Sequence, residues 1–497
     1  MKYSTLVANP ATLTVDAIVY LTPQSEKLTD PALKSVDKLT NGAINGLFRS
    51  GEFGGKDGEI AVVVHPHGFR AGRLLLVGLG EKKKLSADAI RKALGHASRH
   101  KTLSSSVKAA VILDGYDNPA YYQAAVEGHA LGRYKLLDYK SGEAAKDTSK
   151  LSELTFVVSR RAALTRLTRA VERGKIIAEG QLMVRRLSAT PPNDLTPTMY
   201  AEKIQKWAKE YKLSCQVLDE KGIAKEKMGG LLGVSKGSVE PPRFVMLRYQ
   251  KGPARQKPIV LVGKGVTFDA GGISLKPAEN MHEMKQDMTG SAVVLATIIT
   301  AARLKLPLNI VALMPITENL PSGTATRPGD ILHMRNGKTV EVINTDAEGR
   351  LILADALDYA RGLDPQAVID VATLTGAALF ILGYAGAPIL GNNDKLVKRA
   401  ESASKTTAER VWHMPIWDDH REQMKSSIAD LVNSGGRPAG TIAASAFLEN
   451  FIGDWPWLHI DIAWMDMEYA GKPYTPKGAS GFGVRLLTQM LTDWKNL

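Results

Sequence analysis

The stretch Pro258-Ile259-Val260-Leu261-Val262-Gly263-Lys264-Gly265-Val266-Thr267-Phe268-Asp269-Ala270-Gly271-Gly272 decides the fold. Its first half reads as an apolar strand. Its second half sets a lysine and an acid among glycines, which let backbone approach a ligand closely. Open α/β sheets bind ligands at the carboxyl ends of their strands, and Lys264 and Asp269 fall at such an end. Lys276 and Asp287 follow, with a long apolar helix expected over 291–304. Taken singly, Lys264 and Lys276 read as surface lysines and Asp287 as a helix N-cap.

A second cluster lies downstream, Asn344-Thr345-Asp346-Ala347-Glu348-Gly349-Arg350. It feeds the apolar run Leu351-Ile352-Leu353-Ala354-Asp355-Ala356-Leu357, which has helical spacing. Side chains at i and i+2 do not share a helix face but point the same way from extended backbone. Asp346 and Glu348 are therefore expected to converge from an extended segment before the helix. Converging carboxylates repel unless a cation sits between them. A divalent metal answers that need, and Arg350 is left for an anion.

Strand-like runs alternate with helical stretches on both sides of these clusters: 61–64, 74–77 and 109–113 early, then 244–247, 259–262, 310–313 and 368–371. The pattern predicts an α/β protein of two domains. A smaller N-terminal α/β domain is expected over 1–159, a connecting helix over 160–187, and a larger C-terminal α/β domain over 188–497, with a mixed central sheet flanked by helices. The segment 377–390 reads as buried strand and loop. Gly78-Leu79-Gly80 reads as a tight turn, since it lacks the third glycine of a dinucleotide loop and Glu81 would repel a phosphate.

The 497 residues are 44% hydrophobic, enough for a large core, and no apolar run reaches the roughly 18–20 residues that span a bilayer. The N-terminus has no signal-peptide pattern. Cys215 is the single cysteine, so no internal disulfide forms and a reducing, cytoplasmic setting fits. The histidines suggest no rival site, because His282-Glu283 lacks the second histidine of a zinc helix and His65-Pro66-His67 stands alone. Net charge is +13. Scattered solubilising lysines account for such an excess; a clustered basic face would instead bind phosphates. The arginines along 160–186 are either a solvated helix face or such a cluster.

Lys264, Asp269, Lys276, Asp287 and the Asn-Thr-Asp-Ala-Glu-Gly-Arg heptad together resemble the leucyl aminopeptidase family, cytosolic two-metal aminopeptidases. Pro191-Pro192-Asn193-Asp194-Leu195-Thr196-Pro197, Asp370-Val371-Ala372-Thr373-Leu374-Thr375-Gly376-Ala377 and Lys477-Gly478-Ala479-Ser480-Gly481-Phe482-Gly483-Val484-Arg485 are similar to further family motifs. The resemblance implies that the C-terminal domain is catalytic and holds two divalent ions, Mn2+ or Zn2+, with Mg2+ or Co2+ as alternatives. One ion would take Lys264, Asp269, Asp287 and Glu348; the other would take Asp269, Asp346 and Glu348. A hydroxide shared by the ions would attack the peptide carbonyl, and one ion would hold the free α-amine. Lys276 would stabilise the oxyanion, and Arg350 would hold bicarbonate as proton shuttle. Met284, Thr373, Leu374, Gly376 and Ala463 would receive a leucine-like N-terminal residue. A homohexamer, a dimer of trimers, is also implied. Some family members bind DNA, which leaves a nucleic-acid-binding role with secondary peptidase activity as the alternative.

Two positions depart from the family pattern. Ala270 stands where serine is frequent, and Trp464-Met465-Asp466 follows Ala463 where small residues or glycine are usual. Trp464 either narrows the pocket or packs outward. Asp466, if it enters the pocket, would favour a basic side chain.

Overall fold

The computed structural model describes residues 1–113 and 115–495. The chain forms two compact units. Met1–Leu182 with Tyr469–Lys477 make one; the other runs over Met183–Glu468 and resumes at Gly478.

The first unit is built on a six-stranded sheet of β1 (Lys2–Leu6), β2 (Ala17–Thr22), β3 (Ile60–Val64), β4 (Arg73–Gly78), β5 (Lys108–Ile112) and β6 (Glu153–Val157), in spatial order β1-β6-β5-β2-β4-β3. All pairings are parallel except β3 with β4. Alternate side chains of a strand face opposite sides. Ala17, Val19 and Leu21 accordingly enter one apolar cluster, and Ile18 and Tyr20 enter another. Both sheet faces are thus covered, as parallel strands require.

A helix spans Leu164–Ala189, and the division between the units falls within it, after Leu182. Several of its arginines are committed to protein acceptors. Arg166 donates to the Asp117 carbonyl (2.9 Å), Arg173 to Gln123 Oε1 (3.0 Å), and the buried Arg185 to the Ser480 carbonyl (2.8 Å).

The second unit carries a nine-stranded mixed sheet of β7 (Ser214–Leu218), β8 (Arg243–Gln250), β9 (Ile259–Gly263), β10 (Gly265–Asp269) and β11 (Asn309–Asn319), continued after a small sheet by further strands. The small sheet is β12 (Ile331–His333), β13 (Thr339–Glu341) and β17 (Leu431–Val432); the large one continues with β14 (Ala367–Ala372), β15 (Ala387–Gly391), β16 (Val411–His413) and β18 (Trp457–Asp461). The order is β16-β15-β18-β14-β9-β11-β8-β7, with β10 beside β11. Strands β18, β14, β9 and β11 run parallel to one another, so their carboxyl ends share one edge of the sheet. The helix Thr289–Arg303 is buried from Thr289 to Ala301 in the cluster on one face. The helix Gly349–Tyr359 lies in the cluster on the other. Cys215 packs partly buried against the first of these cores.

One local expectation is corrected. Within 377–390, Ala378–Leu382 is a short helix that leaves Phe380 88% exposed, and only the part from Ala387 is strand.

Candidate metal centre

Five segments meet at the shared edge of the large sheet. Lys264 follows β9 directly, and its side chain is buried. Its Nζ lies 2.7 Å from Asp287 Oδ2 and 2.8 Å from Glu348 Oε1, and donates to the Thr373 carbonyl at 2.9 Å. Gly349 makes room for it, because a Cβ there would meet Lys264 Cε at 2.6 Å and Nζ at 2.7 Å.

Asp269 closes β10. Its Oδ1 accepts from the Gly271 amide and from Asn319 Nδ2, both at 2.9 Å, leaving Oδ2 to Lys276 Nζ at 2.8 Å. Lys276 also pairs with Asp346. Gly271 sits at φ +90°, where its missing Cβ would press on the Ser274 carbonyl at 2.5 Å and on Asp346 Oδ1 at 2.9 Å. Left-handed backbone and close approach both demand glycine there.

Asp346 and Glu348 converge, but not from extended backbone. The Ala347 amide bonds the Asn344 carbonyl (3.2 Å), the Asp346 amide bonds Asn344 Oδ1 (2.9 Å), and Glu348 is already helical. A turn held by Asn344 does what an extended segment was expected to do. Thr345 pins that turn to the β10 loop, donating to the Gly271 carbonyl (2.7 Å) and accepting from the Ser274 amide (2.7 Å). Asn319, at the end of β11, bridges Asp269 and the Thr345 carbonyl (3.0 Å).

Carboxylate oxygens of Asp269, Asp346 and Glu348 lie within 4.8 Å of one another. With Asp287 the four acids carry −4, against +2 from Lys264 and Lys276. Burial pushes Asp287 well above the usual carboxylate range, although Lys264 opposes it. Burial, with Asp269 and Glu348 nearby, raises Asp346 to about 6. Burial alone would lower both lysines, but the surrounding carboxylates outweigh it and hold the ammonium forms. Asp287 Oδ2 and Asp346 Oδ1 are buried, each with a lysine ammonium as its only partner among the described residues. Hard, crowded, under-compensated oxygens of this kind suit divalent cations, so the donor set fits metal ions.

Arg350 begins the helix behind the acids. Burial lowers its guanidinium to about 10, still charged near neutrality, and its Nε is buried with no hydrogen-bond partner among the described residues. Thr373 donates to Asp287 Oδ1 at 2.7 Å. The amides of Leu374 and Ala463 both reach Asp461 Oδ1, at 3.0 and 3.1 Å. Met284, whose carbonyl takes the Asp287 amide, and Gly376 complete the set expected from sequence. Trp464 sits at φ +67° and donates its indole N–H to the Gly376 carbonyl at 3.0 Å, edge-on to Tyr384. Asp466 is buried; burial raises its carboxyl to about 7 while the amides of Asp466 and Trp464 oppose the rise.

Residues 182–488 match the model of the cytosol aminopeptidase family, catalytic domain, and 18–143 match that family's N-terminal domain. A probable cytosol aminopeptidase of Syntrophotalea carbinolica is 42% identical over 470 residues, covering 94% of this chain and 95% of that protein. One from Solibacter usitatus is 44% identical over 456 residues, covering 90% and 92%. Among solved structures, the bottromycin maturation enzyme BotP in complex with Mn aligns with a TM-score of 0.84 at 32% identity, covering 96% of this chain and 99% of that one. Such a sheet edge, crowded with acids and lysines, defines a metal-dependent aminopeptidase, a hydrolase acting on peptides. The chain belongs to the cytosol aminopeptidase family.

Proposed function

We propose that the enzyme removes leucine-like residues from peptide N-termini using two divalent ions, Mn2+ or Zn2+, held by Lys264, Asp269, Asp287, Asp346 and Glu348. The observation that carries this reading is the convergence of Asp269, Asp346 and Glu348 oxygens within 4.8 Å, with Asp287 joined to Glu348 through Lys264. When bound, the ions supply Lewis acidity and a water acidified toward neutral pH. Lys276, partly exposed and held cationic, offers its ammonium to the negative charge that develops on the substrate carbonyl oxygen. Arg350 presents a planar fork suited to a carboxylate-like anion, and bicarbonate held there would carry the proton to the leaving amine. Thr373, Leu374, Gly376, Ala463 and Met284 form the wall for the first side chain. Assembly as a hexamer and residence in the cytoplasm complete the proposal.

Glu348→Ala should abolish hydrolysis of leucyl reporter peptides and lower bound metal measured by elemental analysis. Near-normal turnover of the metal-replete variant would overturn the assignment.

A further inference from the structure

The amino-terminal ends of β5, β2 and β4, three neighbouring strands of the first unit, border a cleft of about 560 Å3. That volume is in the range of small-molecule sites, roughly 300–1000 Å3. Arg70 and Arg73 reach it from the head of β4, and Lys108 from the head of β5. None of the three makes a side-chain ion pair or hydrogen bond with any described residue. Elsewhere in the unit, Arg91 pairs with Glu127 (2.9 Å) and Arg133 with Asp147 (3.2 Å). The one carboxylate lining the cleft, Asp16, is spent on backbone. Its Oδ2 accepts from the amides of Val107 (2.7 Å) and Lys108 (2.9 Å). Three cations therefore line the cleft against the single carboxylate of Asp16, with Glu153 opposite Lys108 on the neighbouring strand.

The cleft also has an apolar side. Val64 and Val107 line it and are 57% and 50% exposed. Between Val64 and the β4 arginines lies His65, in left-handed backbone at φ +49°. A non-glycine residue there stores strain, and such strain gathers at binding sites.

Unpaired guanidinium forks select phosphate oxygens, and exposed valines select an apolar or aromatic body. We propose that this cleft binds a small organic phosphate, with its phosphate groups on Arg70, Arg73 and Lys108 and its body against Val64 and Val107. A concave site of this volume encloses a small ligand, whereas a duplex needs cations spread along a track. The arginines of the helix Leu164–Ala189 provide no such track, since Arg166, Arg173 and Arg185 are engaged within the protein.

The test is calorimetric titration of the full chain with ADP, pyrophosphate and a short DNA duplex, at fixed excess free manganese and at two salt concentrations. The exposed triple variant Arg70→Ala, Arg73→Ala, Lys108→Ala serves as comparison, with its melting temperature and leucyl-peptidase activity expected unchanged. ADP should bind more tightly than pyrophosphate, weaken with salt, and lose at least tenfold in affinity in the variant. Absence of ADP binding at millimolar concentration, or equal binding by the variant, would overturn the site. Equal affinity for pyrophosphate and ADP would overturn the organic ligand. Tighter binding of the duplex, lost in the variant, would overturn the small-ligand assignment in favour of nucleic acid.

Discussion

His459 Nδ1 lies 2.5 Å from Asp370 Oδ1, with both side chains fully buried and the two residues in register on the parallel strands β18 and β14. Trp457 donates its indole N–H to the other oxygen of Asp370 at 2.7 Å. A charged or strongly polar trio thus occupies the sheet face that packs the Gly349–Tyr359 helix, in line with Asp461 at the end of the same strand.

This arrangement makes stability depend on pH. Burial alone would lower the His459 imidazole, but Asp370 and, more weakly, Asp461 outweigh it against the opposing Arg350, so the folded value is raised. A group whose folded pKa is raised binds its proton more tightly in the native state. Its stabilisation is complete below the ordinary value near 6.5 and is lost as pH climbs through the folded value. Chemical-denaturation curves should therefore show the wild type losing stability above about pH 6.5, relative to His459→Gln. Parallel pH profiles for the two proteins would show that His459 is held neutral.

Gly349→Ala should disable the enzyme without touching a carboxylate. The new Cβ needs space filled by Lys264 Cε and Nζ, and Lys264 cannot swing away without leaving Asp287, Glu348 and Thr373. Overpacking of this kind costs about 1–3 kcal/mol. Turnover should fall by about a hundredfold or more, equivalent to about 2.7 kcal/mol or more, together with bound metal. Normal kcat at normal metal content would mean that the lysine is not needed in place.

Trp464 pays a backbone cost that glycine would not, about 1–3 kcal/mol for left-handed backbone. Its exposed indole hydrogen bond returns about 0.5–1.5 kcal/mol. Trp464→Gly should leave the melting temperature equal or higher. If the indole walls the pocket, kcat/KM for an N-terminal phenylalanine should rise relative to leucine. An unchanged ratio would place the ring outside the substrate's reach.

Asp466 is a poor magnet for a basic substrate residue. Its carboxyl is buried and raised toward neutrality, chiefly by that burial, with the negative charges of Asp461 and Glu283 adding to the rise. The ratio of kcat/KM for lysyl and leucyl reporters should be the same in wild type and Asp466→Asn. Loss of a lysyl preference in the variant would reverse this conclusion.

The strand pattern and the acidic clusters were legible because each is local: β9 and β11 are apolar runs, and Asp346 and Glu348 are two residues apart. The turn at the heptad was not, because Asn344 acts through its side chain on the Asp346 amide, a competitor to extended backbone that spacing alone does not reveal. Asn319 was missed as a support of Asp269 because 50 residues separate them and only the β10–β11 pairing joins them. A polar Thr-Glu-Asn ending on an otherwise apolar strand was the available signal. The cleft at Arg70 and Lys108 was hidden for the same reason, its cations coming from strand heads far apart in sequence.

Asp461 Oδ1 holds the amides of both Leu374 and Ala463, while its other oxygen takes the Thr375 hydroxyl at 2.7 Å. The two stretches of chain proposed to frame the first substrate side chain are therefore mechanically one part. Substitutions made in either stretch to redirect selectivity will be non-additive, and a library that varies only one of them will sample few of the pocket shapes the scaffold permits.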